Sequence, residues 1–133
     1  MSREIKFRAW HMPFGEKGPF QEMIYKRASS ILSFANMDPD SYIVEQFTGL
    51  KDKNGKDIYE GDIVKYISED GYSFLGPVKY LIDEDYPAFD IPTEYIPDGW
   101  QFASNILNTG AAENAIEVVG NVHEDSDLLE GGK

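Results

Sequence analysis

Apolar and polar residues alternate at the start of the chain, where Ile5, Phe7 and Ala9 interleave with Lys6, Arg8 and Trp10. This period of two predicts a half-buried strand with Trp10 buried near its end. Two prolines and two glycines in HMPFGEKGPF make residues 11–20 a loop. Met23 to Tyr25 and Ile31 to Phe34 then read as a short strand pair, and NMDPD at 36–40 as a turn. Residues 42–50 set Val44, Gln46 and Thr48 on one side and Ile43, Phe47 and Gly49 on the other. They lead into FTGLKDKNGKDIYEGDIVKY at 47–66, the stretch around which the rest is organised. Asn54-Gly55 marks a tight hairpin turn, because these residues most readily take the positive φ angles it needs. Lys51, Lys53 and Lys56, with Asp52 and Asp57, keep that turn solvated, while Ile58, Ile63 and Val64 supply the returning strand. Gly61 interrupts the strand as a bulge or bend, and Asp62 is placed to hold it by accepting from nearby backbone amides.

Further along, Gly71 and Gly76-Pro77 flank an extended Tyr72 to Leu75, and Val78 to Ile82 is strand-like. Residues 83–99, with three prolines, read as an irregular excursion. Apolar residues at 100, 103, 106 and 107 predict a short helix from Trp100 to Leu107, ended by Asn108 to Gly110. The last strand is Ile116 to His123, followed by Asp125 or Ser126 as cap of a turn holding Leu128 and Leu129; 127–133 reads as a mobile end. The Gly-Asp-Ile-Val run followed by Gly76 and Val78 is similar to SH3-like small barrels. The expected fold is mostly β, one domain over 1–133: a small SH3-like, partly open β-barrel with long irregular loops and one or two short helices.

Charge changes the picture more than length does. The chain carries 24 acids against 12 bases, a net charge of −12, and has no cysteine. Disulfides and thiolate metal sites are excluded, and no basic segment is followed by an apolar run, so a cytoplasmic protein without a membrane span is expected. Bases gather early, at Arg3, Lys6 and Arg8 and in the hairpin, whereas residues 81–132 contain no Lys or Arg. That stretch holds twelve acids, among them Asp83, Glu84, Asp85, Asp90, Glu94 and Asp98. Such a balance repels phosphate backbones unless the bases share one face.

REIKFRAW at 3–10, TGLKDKNGKDIYEGDIVKY at 48–66 and EVVGNVHEDSDLL at 117–129 occur in the order and spacing of the YopX-like family of phage and prophage proteins. The resemblance implies a mostly β, barrel-like fold and a bacterial host cytoplasm, and it brings over no activity, cofactor or catalytic residue. His123 stands where the family often has Tyr, and Ser126 where it often has Asn or Pro.

Catalytic signatures are absent: there is no nucleophile elbow, phosphate loop, dinucleotide fingerprint or HExxH helix. His11 and His123 stand alone, and acid pairs such as Asp83 with Asp85, or Glu124 with Asp127, arise readily in so acidic a chain. DKNGKD fails as a calcium loop, since setting Gly55 at the invariant glycine puts Leu50 and Gly61 where carboxylates are required. No enzyme, cofactor or metal is therefore expected.

Two binding functions stand. In the first, a phage accessory protein engages a host or phage protein of basic surface through an acidic face at Asp83, Glu84, Asp85, Asp90, Glu94 and Asp98. The alternative is a small-barrel nucleic-acid module using Arg3, Lys6, Arg8, Lys65 and Lys79, with Tyr66 and Tyr72 as stacking rings. The discriminating feature is whether these bases converge. Nucleic acid is the less favoured partner, a membrane is not expected, and a homo-oligomer is compatible with the chain.

Overall fold

The computed structural model describes residues 5–81, 88–102 and 105–131. Strands make up 38% and helices 23% of it, so the chain is mostly β, with three short helices. Contacts divide it into two compact units, Met1–Gly49 and Leu50–Lys133.

In the first unit, strand β1 (Phe7–His11) lies between β2 (Glu22–Tyr25) and β3 (Tyr42–Lys51), antiparallel to both. The half-buried pattern is corrected: Arg8, Ala9 and Trp10 are all buried, so both faces of this middle strand are closed there, while Ile5 is 65% exposed. Trp10 is buried as expected, and its indole Nε1 donates to Gln21 Oε1 at 2.9 Å. The Gln21 amide in turn donates to the carbonyls of Glu16 and Gly18, closing the 11–20 loop on itself. β2 forms, but its neighbour is β1; residues 31–34 belong instead to helix α1 (Ala28–Met37). Ala28, Ile31 and Ala35 recur at helical spacing, and Ile31 is fully buried on that face. The NMDPD turn is a helix end followed by a 3-10 turn, Pro39–Ser41.

In the second unit, β3 pairs across the turn with β4 (Asp57–Tyr59), as the hairpin reading expects. The turn has three loop residues: Asp52 N–H donates to the Lys56 carbonyl, Gly55 N–H to that of Asp52, and Gly55 alone of the Asn-Gly pair has positive φ, +81°. This is a type I turn followed by a left-handed residue. A Cβ at Gly55 meets nothing within 4 Å, so any cost of substitution is conformational. Gly55→Val should lose more than about 1 kcal/mol, read as a lowered urea midpoint, because a β-branched residue disfavours this φ. An unchanged midpoint would refute the turn geometry.

Asp52 corrects the picture of a solvated turn. It is buried, and its carboxylate accepts from the N–H groups of Asn54 (2.8 Å), Lys56 (2.9 Å) and Val118 (3.0 Å). Burial pushes its pKa up, but those three donors and the Lys56 ammonium outweigh it and hold the carboxyl below its ordinary value.

Gly61, at φ +90°, forms a corner between β4 and a separate strand β5 (Asp62–Ile67). Asp62 accepts from the Tyr59 N–H at 2.8 Å, as expected of it. The bulge lies elsewhere: Ile63 faces Gly120 and Val64 faces Val118, leaving Val119 as the extra residue of β9 (Ile116–Asn121). β5 is the middle strand of a sheet ordered β6 (Ser73–Pro77), β5, β9. β7 (Lys79–Leu81) forms where a strand is expected, and its partner β8 (Ala88–Asp90) is a strand within the stretch expected to be irregular. None of these strand orders returns on itself, so the sheets are open among the described residues.

Helix α2 spans Ile106–Ala112, not Trp100–Leu107. Asn105 Oδ1 accepts from the Asn108 N–H at 2.9 Å, so the cap follows Trp100 by five positions and Asn108 to Gly110 lie inside the helix. Ala103, part of the expected helix face, lies outside the described residues. Asp127–Gly131 form helix α3; the Asp125 carboxylate turns back to the Asn121 N–H. Val64, Tyr66, Phe74, Val78, Ile91, Leu107 and Ile116 bring β5, β6, β9 and α2 around one core.

Candidate binding hollow and the placement of charge

β5 ends at the rim of the core, and the segment after α2 returns beside it: Ile67 N–H donates to the Ala115 carbonyl, and Lys53 N–H to that of Ile116. The positive φ of Asn114, 57°, turns the chain from α2 into β9 at this point. Between these walls and residues 100–102 lies an open hollow of about 730 Å³, within the size range of small-ligand sites. Tyr66, Trp100 and Phe102 form its aromatic wall, with Trp100 edge-on to Tyr66 at 6.0 Å and stacked on Phe102 at 6.3 Å. Phe74 supports the Trp100 ring from behind at 5.0 Å. Glu69, Glu113 and Lys53 stand around it and are exposed. The Tyr66 hydroxyl donates to Glu113 Oε1 at 3.5 Å; burial first, and the Glu113 carboxylate second, raise its pKa. A smaller recess of about 240 Å³ adjoins the hollow through Ser68 and Trp100 and adds Asp70 and Tyr72.

The bases named from the sequence differ in their surroundings. Arg8 is buried, its guanidinium held by Glu45 Oε1 at 2.8 Å through both Nε and Nη2. Lys6 lies over the Phe47 ring, 4.9 Å from its centroid. Lys51 pairs with Asp57 at 2.6 Å, Lys65 sits between Leu75 and Glu117 on neighbouring strands, and Lys79 lies opposite Asp90. Arg3 lies outside the described residues. Of the two tyrosines, Tyr72 is 73% exposed, whereas Tyr66 is packed into the core.

The acids divide too. Asp83, Glu84 and Asp85 lie outside the described residues. Glu94 and Asp98 are exposed. Asp90 is half-buried, its Oδ1 accepting from Ile91 N–H at 2.8 Å and Leu107 N–H at 3.0 Å, so it anchors the first turn of α2. Burial, the leading influence, raises its pKa despite those donors. His11 stacks on Tyr42 at 4.5 Å, and no three His, Asp or Glu side chains meet as a metal-binding group among the described residues. Among the described residues, no helix is long and apolar enough to cross a membrane.

Sequence reasoning named Tyr66 but missed Trp100, Phe102 and Glu113, which lie 34 to 47 positions further on. No curated protein matches the chain. The crystal structure of protein EF1440 from Enterococcus faecalis matches with a TM-score of 0.52 and 23% identity, covering 96% of this chain and 99% of that one. This is a likeness of fold alone. A family model described as YopX protein matches residues 6–130, which take in KFRAW of the REIKFRAW block and the whole of the other two. The chain belongs to the YopX family.

Proposed function

We propose that this is a phage or prophage accessory protein that works by binding, not catalysis, and that its partner is a protein with a basic surface. The observation that carries the reading is the use of the early bases: Arg8 is consumed by Glu45 and Lys51 by Asp57. Residues 81–132 contain no base at all, and Glu94 and Asp98 within them face solvent. An acidic field of this kind speeds encounter with a cationic partner and decays over about 8 Å at physiological salt.

Affinity capture from nuclease-treated bacterial lysate, at low and at raised salt, tests this. Glu94→Lys with Asp98→Lys should reduce recovery of specific basic proteins while leaving the melting curve unchanged, and raised salt should reduce wild-type recovery. A wild-type protein that shifts a single-stranded DNA probe at physiological salt, more strongly after the reversal, would instead establish the nucleic-acid module.

A further inference from the structure

Resting on that reading, we infer that the hollow beside β5 receives an arginine side chain of the partner. Its wall is aromatic, from Tyr66, Trp100 and Phe102, and its rim carries the carboxylates of Glu69 and Glu113, with Asp70 in the adjoining recess. Lys53 is the one base among the residues lining either space. Acids therefore outnumber bases at the rim, and the chain's net charge of −12 has the same sign.

Aromatic faces attract cations through the ring quadrupole, most strongly at Trp. A guanidinium satisfies both surfaces together, because its flat face stacks on a ring while its edge donates to carboxylates in a fork. Tyr66 is held by the core, and Trp100 packs against both Phe74 and Phe102, which also touch each other, so the wall stands ready before the partner arrives. An arginine so placed is the kind of anchor that dominates protein interfaces.

The two tryptophans supply separate reporters. Trp100 lines the hollow, whereas the Trp10 indole N–H is engaged by Gln21 in the other unit. Titrating the intact protein with a short arginine-rich peptide at low salt should move the Trp100 indole N–H resonance and leave that of Trp10 in place. A glutamate-rich peptide of equal length should move neither. Glu69→Gln with Glu113→Gln should weaken the arginine peptide by about fivefold or more, and Lys53→Gln should tighten it. A melting curve and a backbone amide spectrum like those of the wild type in each variant show that the fold is kept.

Binding of the glutamate-rich peptide, lost in Lys53→Gln, would overturn the inference in favour of an anionic occupant. If the arginine peptide binds by calorimetry without moving Trp100, the hollow is not its site, although the acidic-surface reading stands. If it does not bind at all, both fall.

Discussion

Arg8→Met is expected to lower stability by about 3–5 kcal/mol, the usual cost of removing one partner from a buried ion pair. Arg8 is 2% exposed and Glu45 5%, and they face each other across β1 and β3. The guanidinium also donates to the Tyr25 hydroxyl at 3.3 Å, so one side chain ties three adjacent strands together. Methionine fills much of the same volume but leaves the Glu45 carboxylate stripped of its guanidinium in a site closed to water. The loss belongs to the desolvation of that buried carboxylate more than to its attraction to Arg8. Arg8→Met with Glu45→Leu should therefore recover most of it, because an apolar pair of similar volume is often as stable as the ions it replaces. Urea unfolding of the two single variants and the double one measures this. A double variant as unstable as Arg8→Met would show that packing at Arg8, not charge, holds the three strands.

Asp52→Ala should cost about 2–4 kcal/mol, since it strips acceptors from three backbone donors. Two of these, Asn54 and Lys56, are on exposed residues and regain water. The third belongs to half-buried Val118, 66 positions away, and its loss leaves the hairpin tied to β9 through the Lys53 N–H and the Ile116 carbonyl. Asp52→Asn keeps one carbonyl acceptor and should lose less. The pH dependence follows from the lowered pKa: the folded state binds the Asp52 proton less readily than the unfolded chain, whose value is 3.8. Its contribution is whole above that pH and drains away as the pH falls below 3.8 through the folded-state value. Asp90, with a raised pKa, acts in the opposite direction, its contribution being whole below 3.8 and lost as the pH rises through its folded-state value. Asp52→Asn should thus lose less stability than the wild type on acidification below pH 3.8. An equal acid loss in the two proteins would mean that another carboxylate carries it.

Local chemistry was enough for the turn at Gly55, the corner at Gly61, the acceptor role of Asp62 and the burial of Trp10. Each depends on a few adjacent residues, or on one large ring beginning a strand. The errors have equally local causes. Ile31 and Phe34 suit strand and helix alike, and only a window reaching Ala28 and Ala35 shows the helical spacing of α1. Apolar residues from Trp100 onward suggested a helix face, but Asn105 caps a helix that begins only at Ile106.

By itself the sequence determined the family, the predominance of strands, the hairpin and the excess of acid, because these are properties of composition and of neighbours along the chain. Tertiary structure alone decided which charges reach solvent. Arg8 is indistinguishable from Lys6 in an alternating strand until β2 and β3 flank β1 on its two edges and bring Tyr25 and Glu45 to it. Asp52 and Asp90 likewise read as surface acids until β9 and α2 supply the amides that bind them. The aromatic hollow has the same origin: Tyr66, Trp100 and Glu113 come from three separate segments, and packing around one core, not spacing in the chain, makes them neighbours.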